Sequence, residues 1–265
     1  MTSGTGGPPA RTAHSRLGPG SAVAVVTGAA GGLGQVIAAR LHEQGYRVAL
    51  TDLSGERAER AASALDPSGG TAAGLCLDVR IKADFERVRD AITARWGEVH
   101  VLVNNAGVSK AEPLMDITPE SFSSVVSTNL DGAFFGSQVF GAYFASRGYG
   151  RIVNVASLAG QNGGTATGAH YAAAKGGVAT LTKVFARDLA NRGVTVNAVS
   201  PGPLDVPAVY EIVGPERIEG MKENIPVGDL LSPRFVADAV ALLAAEHAGS
   251  VTGACWDVNG GLYMR

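Results

Sequence analysis

Short runs of consecutive apolar residues recur along the chain from residue 21 onward, and longer segments between them carry apolar residues at helical spacing. Continuous apolar runs are typical of strands buried on both faces of a parallel sheet, whereas spacings of three and four predict amphipathic helices. The pattern predicts strands at 22–27, 47–51, 73–78, 99–104, 151–157, 195–200 and 255–258. It predicts helices near 32–44, 55–65, 81–96, 118–146, 170–191 and 233–246.

This alternation of strand and helix, without internal repeats, predicts an α/β fold. We expect a single-domain, doubly wound Rossmann-type fold in which helices flank both faces of a seven-stranded parallel sheet. Ligands of such sheets bind beyond the carboxyl ends of the strands, and polar and glycine residues gather there. These residues are Gly28 to Gly34, Asp52, Asp78, Asn104 to Gly107, Ser157, and Pro201 with Gly202.

The composition limits the classes of protein to which this chain can belong. The chain has 265 residues, of which 46% are hydrophobic and 17% charged, enough for one large domain with a filled core. A net charge of −2 favours neither nucleic acid nor an acidic membrane as a partner. The apolar runs are too short to span a bilayer, which predicts a soluble protein. Cys76 and Cys255 lack metal or redox spacing, so we expect two small core residues, no metal and a reducing, cytoplasmic location.

The first twenty residues differ in composition from the rest of the chain. They hold five glycines and three prolines without apolar periodicity, and they lack the apolar core of a secretory signal. We predict a disordered lead over 1–20 and one dinucleotide-binding and catalytic domain over 21–265. Within that domain, residues 206 to about 231 are expected to form a lid over the substrate pocket.

The segment 28–34 is the first candidate cofactor element, since it joins a predicted strand to a predicted helix. Gly28, Gly32 and Gly34 allow positive φ and close approach of the backbone to a pyrophosphate at the helix N-terminus. Asp52 ends the second predicted strand, eighteen residues after Gly34, where a carboxylate can accept from adenosine ribose hydroxyls. It would repel a 2′-phosphate, which favours NAD(H) over NADP(H). Alternatively, Asp52 only caps the following helix.

The pair Tyr171 and Lys175 is the candidate catalytic element. On a helix, a spacing of four places the phenol and the ammonium on one face about a turn apart. At ~4 Å and an effective dielectric of ~20 the two charges interact by roughly 4 kcal/mol, which predicts a tyrosine pKa lowered by about three units. Tyr171 can then exchange a proton with a carbonyl oxygen, while the Ser157 hydroxyl holds that oxygen. The alternative is an ordinary pair on a helix surface.

In their order along the chain, these elements resemble the short-chain dehydrogenase/reductase family over about residues 21–265. The motifs are Thr27-Gly-x-x-x-Gly-x-Gly34, Asn104-Asn-Ala-Gly107, Asn129, Ser157, Tyr171-x-x-x-Lys175 and Pro201-Gly202. The segments 171–177, 187–193, 196–199, 251–253 and 258–264 are similar to those of bacterial 3-oxoacyl-acyl-carrier-protein reductases.

The resemblance implies a catalytic tetrad of Asn129, Ser157, Tyr171 and Lys175. In it Lys175 also bonds the nicotinamide ribose, and Asn129 anchors a water that links Lys175 to solvent. NADP-preferring relatives usually carry a basic residue at one of two places, where this chain has Gly31 and Leu53. The implied cofactor-binding residues are Gly28, Gly32, Leu33, Gly34, Asp52, Leu53, Asp78, Val79, Asn105, Ala106, Gly107, Tyr171, Lys175, Pro201, Gly202 and Leu204.

The chain departs from the family pattern at one position. Family members often place a threonine that bonds the nicotinamide carboxamide where this chain has Val206. Valine keeps the shape of threonine but lacks the hydroxyl. The backbone of Leu204 is therefore the remaining candidate for that contact.

We predict an oxidoreductase that transfers a hydride between NAD(H) and a ketone or secondary alcohol, with 3-oxoacyl thioesters as the first candidate substrates. The substrate is a small carbonyl or alcohol, either free or linked to a carrier protein or CoA. One alternative is an NAD-dependent dehydrogenase of a small or cyclic secondary alcohol, and another is a nucleotide-binding scaffold without turnover. The sequence leaves the physiological substrate, its stereochemistry and the direction of reaction open.

Two further expectations concern partners. A carrier protein requires a basic docking patch near the pocket, for which Arg187 and Arg192 align with the reductases, although both also suit an exposed helix end. The tail 253–265 carries large apolar side chains to its last residues, whereas free termini are usually polar. Together with the resemblance, this tail predicts a homotetramer.

Overall fold

In a computed structural model of the protein, residues 20–164 and 166–264 are described. The predicted disordered lead lies outside them, apart from Gly20. Within the described chain, one parallel sheet has the strand order β3-β2-β1-β4-β5-β6-β7. The strands are β1 Val23–Thr27, β2 Arg47–Asp52, β3 Ala72–Cys76, β4 Val101–Asn104, β5 Gly150–Val155, β6 Val194–Pro201 and β7 Cys255–Val258.

Ten α-helices connect or follow these strands in the described chain. They are α1 Gly32–Glu43, α2 Gly55–Leu65, α3 Lys82–Trp96, α4 Pro119–Val126, α5 Gly132–Arg147, α6 Ala159–Asn162, α7 Ala169–Leu189, α8 Pro207–Val213, α9 Pro215–Asn224 and α10 Pro233–Ala244. The single helix predicted at 118–146 is wrong, because a π-helical turn at Ser127–Asp131 separates α4 from α5. Three short helices, α6, α8 and α9, were not predicted.

Alternate residues of each central strand face opposite layers of helices. In β1, Val23 and Val25 face a layer formed by α3, α5 and α7, whereas Ala24 and Val26 face a layer formed by α1, α2 and α10. The continuous apolar runs of the sequence therefore reflect burial on both faces, as expected for a parallel sheet. The fold confirms the predicted doubly wound architecture.

The strand order reverses at β1, which pairs with β2 on one side and with β4 on the other. A crevice forms beyond the carboxyl ends of strands at such a switch point, and ligands of open α/β sheets bind there. No helix in the described part of the chain has both the length and the apolar character needed to cross a bilayer.

The two cysteines do not both lie in the core, contrary to the expectation from the sequence. Cys76 is exposed at the end of β3, and its Sγ donates to the Leu53 carbonyl at 3.3 Å. Cys255 is partly buried. The reason is topological, since β3 is the edge strand: its final residue pairs with Asp52 of β2 on one side and has no strand on the other.

Candidate active site

The glycine turn, residues 28–34, lies at the switch point between β1 and β4. Gly28 and Gly32 have φ of +63° and +54°, in the left-handed region that favours glycine. A Cβ on Gly28 would lie 2.8 Å from the Ala106 Cα, and one on Gly34 would overlap the Gly28 carbonyl oxygen. The turn can therefore pack against the residues after β4 only because these side chains are absent.

Thr27 and Asn105 hold this turn against the end of β4. The Thr27 hydroxyl accepts from the backbone N–H groups of Asn105 and Ala106 at 3.0 and 2.9 Å. The Asn105 side chain donates to the carbonyls of Thr27 and Gly28 at 2.9 and 3.1 Å. The sequence placed Asn105 in the cofactor cleft but did not identify Thr27 as a site residue, although its position at the strand end was a usable signal.

The N-terminus of α1 suits a pyrophosphate. Its N-cap, Gly31, supplies no side-chain cap, and its first turn contains no acidic residue. Free N–H groups and the helix dipole at such a terminus favour a bound anion. The empty side-chain positions at Gly28 and Gly34 and this uncapped terminus fit the pyrophosphate of a dinucleotide. Leu33, within the same turn, packs partly buried against the adjacent apolar layer.

At the end of β2, Asp52 does not cap the following helix. Ser54 is the N-cap of α2 and accepts from the Arg57 N–H at 3.3 Å. Asp52 Oδ1 instead accepts from the Ser54 N–H at 3.2 Å, which orients the carboxylate beside the glycine turn. Leu53, which follows it, is exposed. The carboxylate follows Thr51, whose carbonyl accepts from the Ala29 N–H of the glycine turn at 2.9 Å, and its role in ribose binding stays a prediction.

Arg57 is a basic group beside this site that the sequence interpretation missed. One guanidinium nitrogen, Nη2, lies 3.5 Å from the point that a Cβ on Gly31 would occupy. Within the described part of the chain this guanidinium forms no ion pair. The family pattern points to a basic residue only at the positions of Gly31 and Leu53. In the structure, the first turn of α2 brings the Arg57 side chain beside Gly31.

Asp78 and Val79 follow β3, where the adenine was expected. The Arg80 guanidinium donates to both oxygens of the Asp78 carboxylate, with a shortest distance of 2.6 Å from Nη2 to Oδ2. These hydrogen bonds lower the pKa of Asp78. Val79 is buried against Gly132 at the start of α5. The Asp78 carboxylate is thus already neutralised by Arg80, which leaves Val79 and the backbone as the surface available to an adenine.

Asn129 lies in the π-helical turn between α4 and α5 and is buried. Its Nδ2 donates to the carbonyls of Val108 and Val125 at 2.8 and 2.9 Å, while its Oδ1 has no partner within the described chain. A Cβ on Gly107 would lie 2.5 Å from that Oδ1 and 3.5 Å from Lys175 Nζ. Asn129 and Lys175 therefore border the same small space at Gly107.

Tyr171 and Lys175 lie on the first two turns of α7, as predicted. Lys175 is buried, and its Nζ donates to the Val155 carbonyl at 2.7 Å and lies 5.7 Å from the centre of the Tyr171 ring. Burial lowers the pKa of Lys175 to about 8. Ser157, at the end of β5, shares a hydrogen bond with the Tyr171 side chain. The structure thus brings these three side chains together.

The direction of the tyrosine shift differs from the prediction. Burial raises the pKa of Tyr171 above its usual value, and the Ser157 hydrogen bond only partly opposes this. The spacing of the pair indicates the nearby charge of Lys175, but it does not indicate how much water is lost around the phenol. That loss disfavours the phenolate. Lys175 Nζ is moreover directed at the Val155 carbonyl. Near neutral pH the phenol is consequently in its protonated form.

The segment after β6 forms the opposite wall of the cleft. Pro201 ends β6, and the Gly202 N–H donates to the Val258 carbonyl at 2.8 Å. Val206 packs against the apolar layer formed with α10, and its side chain has no polar group for a ligand. The Leu204 N–H has no partner within the described chain, which leaves it available for a carboxamide oxygen.

The predicted lid contains α8 and α9. Ile218, Ile225 and Leu230 form a small buried cluster within it, against which Leu262 of the tail packs. Leu204 and Leu231 form a bridge at its base. The lid therefore has its own apolar contacts and is joined to the cleft wall at the bridge.

Arg187 and Arg192 lie at the other end of α7. A rise of about 1.5 Å per residue over sixteen residues separates Arg187 from Tyr171 by roughly 24 Å. Arg192 forms an ion pair with Asp188 at 2.6 Å. Within one subunit the structure does not bring this pair to the pocket.

Comparisons with known proteins agree with this geometry. A family model described as Enoyl-(Acyl carrier protein) reductase matches residues 28–263. A 3-oxoacyl-(acyl-carrier-protein) reductase of Vibrio cholerae is 40% identical over 242 residues, covering 91% of this chain and 97% of that protein. A 4-formylbenzenesulfonate dehydrogenase of Comamonas testosteroni is 38% identical over 90% of this chain and 96% of that protein.

Solved structures give the same result. A variant of the actinorhodin polyketide ketoreductase, solved with NADPH, superposes with a TM-score of 0.85 at 37% identity. The superposition covers 91% of this chain and 97% of that one. These matches confirm the resemblance drawn from the sequence motifs.

Proposed function

The chain belongs to the short-chain dehydrogenase/reductase family, a family of oxidoreductases that bind a nicotinamide dinucleotide, and we propose that it reduces 3-oxoacyl thioesters. The observation that carries this proposal is the meeting of Ser157, Tyr171 and Lys175 beside the glycine turn. The bound nicotinamide supplies or accepts the hydride. The chain's own residues have to bind the carbonyl, deliver the proton and stabilise the negative charge that develops on oxygen.

The protonation states of the site favour carbonyl reduction near neutral pH. Burial keeps the Tyr171 phenol protonated, so it can give its proton to a carbonyl oxygen that the Ser157 hydroxyl also contacts. Lys175 is a cation below about pH 8 and stabilises negative charge in a site poor in water. Asn129 Oδ1, an acceptor that no described residue meets, is suited to hold a water near Lys175 for proton return.

For the cofactor we propose NAD(H). The Asp52 carboxylate accepts from the ribose hydroxyls, and its charge opposes a 2′-phosphate. Arg57 favours the opposite choice, because its guanidinium, which has no acidic partner among the described residues, lies beside Gly31 and can meet a 2′-phosphate. NADP(H) is therefore the second candidate, and the ketoreductase solved with NADPH supports it. A titration of the protein with each reduced cofactor decides between them, and tighter binding of NADPH would overturn the proposal.

The substrate is tested with a panel of carbonyl compounds. Acetoacetyl thioesters of CoA and of a carrier protein are compared with small and cyclic ketones and with the corresponding alcohols. We expect the highest kcat/KM with the thioesters, in line with the 3-oxoacyl reductases among the relatives. The Comamonas dehydrogenase, whose name gives an aromatic aldehyde as its substrate, shows that a relative acts on a small free compound, as the second candidate requires. A higher kcat/KM with a free alcohol than with any thioester would replace the first candidate by the second.

A nucleotide-binding scaffold without turnover is the remaining alternative. It predicts tight binding of a dinucleotide together with no substrate-dependent change in NADH absorbance for any compound of the panel. The partly buried Tyr171, whose pKa is raised and which contacts Ser157, argues against it, because a titratable group so placed is typical of catalytic sites. Substrate-dependent oxidation of NADH that is lost in Tyr171→Phe would exclude the scaffold.

We also propose a cytoplasmic homotetramer. Apolar side chains remain exposed on helices of one face and at the tail, namely Phe122, Val184 and Met264. Part of the tail packs within its own subunit, since Trp256 contacts the α10 layer and Leu262 the lid cluster. Light scattering on the full chain and on a version ending at Gly260 tests the assembly. A monomeric and active full-length protein would refute it.

A further inference from the structure

His170 is a buried titratable residue that directly precedes Tyr171 and has no part in the tetrad. Its side chain is completely buried, and its Nδ1 accepts from the Tyr171 N–H at 2.8 Å. The first N–H groups of a helix lack partners within the helix, and the N-cap of α7, Gly168, has no side chain to supply one. The Tyr171 N–H also donates to the Gly168 carbonyl at 3.1 Å, so it is shared between two acceptors. His170 therefore provides the side-chain acceptor at the start of the catalytic helix.

The other nitrogen of the imidazole faces the segment 108–113, which follows β4. Because Nδ1 accepts, the neutral ring carries its proton on Nε2. Nε2 lies 3.5 Å from Oε2 of Glu112, slightly beyond a good hydrogen bond, and has no other partner in the described chain. Glu112 in turn accepts from the Ser121 hydroxyl at 2.7 Å and lies 3.9 Å from Lys110 Nζ.

Segment 108–113 contacts the elements that carry the catalytic residues at three points. The Lys110 carbonyl accepts from the Gly168 N–H at 2.9 Å, one residue before α7. The Val108 carbonyl accepts from Asn129 Nδ2. The imidazole is the third contact, and it packs so closely on Gly168 that a Cβ there would overlap the ring. The segment is thus fastened both to the π-helical turn and to the start of α7.

We propose that His170 is a positioning residue, which with Glu112 joins segment 108–113 to the first turn of α7 and so sets the position of the Tyr171 phenol against Ser157. This inference rests on the proposed function, since it concerns the same proton donor. A neutral imidazole is well suited to the task because it accepts at one nitrogen and donates at the other, a combination that no aliphatic side chain supplies.

Two substitutions separate the two contacts of the imidazole, the one with the Tyr171 N–H and the one with Glu112. His170→Asn keeps an acceptor near the place of Nδ1 but is too short to reach Glu112. His170→Gln reaches towards Glu112 but places no acceptor at the Tyr171 N–H. His170→Ala removes both contacts, Glu112→Gln keeps the shape of the carboxylate without its charge, and the exposed His247 supplies a matched control, His247→Asn.

We expect His170→Ala to lower kcat roughly tenfold, the scale of one lost hydrogen bond, while the Kd of NADH changes less than about twofold. His170→Asn should recover most of this kcat, and His170→Gln less. The alkaline limb of the pH–rate profile reports Lys175, which lies one turn after Tyr171 on α7. This limb should move in His170→Ala and Glu112→Gln, because the first turn of α7 shifts, and should stay in place in His247→Asn.

Amide hydrogen exchange tests the link independently of turnover. Exchange at Tyr171 should accelerate in His170→Ala and His170→Gln but stay slow in His170→Asn. If the wild type turns over no substrate, the proposed function fails while this exchange comparison still tests the positioning role. Unchanged kcat, pH profile and Tyr171 protection in all three His170 variants would overturn the inference. Equal losses of kcat in all three variants, without a change in the protection of the Tyr171 amide, would also overturn it.

Discussion

The glycine turn and the start of α7 both lie beyond the carboxyl ends of the strands, but they depend on opposite features of their side chains. The turn works by the absence of side chains: its glycines let the backbone of β1 and α1 approach the end of β4. The start of α7 works by burial of ionisable side chains, which raises the pKa of Tyr171 and lowers that of Lys175. Both shifts have one cause, since loss of water disfavours the charged form of each group.

This difference indicates how each region should fail. A side chain added to the turn displaces backbone and so affects folding and dinucleotide binding together. A change confined to the Tyr171 hydroxyl at the start of α7 alters proton transfer while the binding surface stays. The following expectations test that division, beginning with the largest effect.

Replacing Tyr171 by phenylalanine should separate chemistry from binding most clearly. The substitution removes the proton donor but little of the surface against the cofactor. We expect turnover to fall by about 10²–10⁴-fold, the usual contribution of a general acid, with nearly unchanged Kd of NADH in a fluorescence titration. Retention of more than about a tenth of the wild-type rate would contradict this role. Lys175→Ala should instead impair both quantities, since Lys175 is also expected to contact the nicotinamide ribose.

Gly34→Ala should show the opposite pattern. The added methyl group would overlap the Gly28 carbonyl oxygen and lie 2.5 Å from Asn105 Nδ2, so backbone has to move. We expect a loss of about 1–3 kcal/mol in the free energy of unfolding and strongly weakened NADH binding. Gly31→Ala is the control in the same turn, since its φ is extended and its nearest neighbour is the mobile Arg57 side chain at 3.5 Å. Equal Tm values for the two variants would refute the clash.

Asp52 and Arg57 should shift the cofactor preference in opposite directions. Asp52→Ala removes the repulsion of a 2′-phosphate and a ribose acceptor, so the NADH preference should relax by about 1–3 kcal/mol, or roughly 5–150-fold in the ratio of Kd values. Arg57→Gln should weaken NADPH and leave NADH nearly unchanged. The measurement is a titration of each variant with both cofactors. No change of the ratio in Asp52→Ala would show that the carboxylate does not select the cofactor.

The pH dependence should report Lys175. Its pKa is about 8, below the usual 10.5, so the cation is present below pH 8 and is lost above it. Tyr171 has a raised pKa and stays protonated over this range. Carbonyl reduction should therefore be constant up to about pH 8 and then fall by up to about tenfold per pH unit. Lys175→Arg keeps its charge at high pH and should lack this limb, even if its rate is lower. A flat wild-type profile to pH 10 would contradict the assignment.

The sequence by itself determined the order of the strands and helices, the glycine turn and the catalytic spacing. These features are local: continuous apolar runs follow from burial on both faces of the sheet, and Gly28, Gly34 and the pair Tyr171 and Lys175 occupy fixed places relative to them. Strand ends differ from their predicted places by no more than two residues, because the apolar run and the strand nearly coincide.

Only the tertiary structure decided the electrostatics and the contacts between distant segments. The raised pKa of Tyr171 depends on how completely neighbouring elements remove water, which the spacing to Lys175 does not state. The approach of Arg57 to Gly31 and the contact between His170 and Glu112 join residues 26 and 58 positions apart. Such contacts are fixed by the packing of whole helices on the sheet, and no local pattern of apolar and polar residues encodes them.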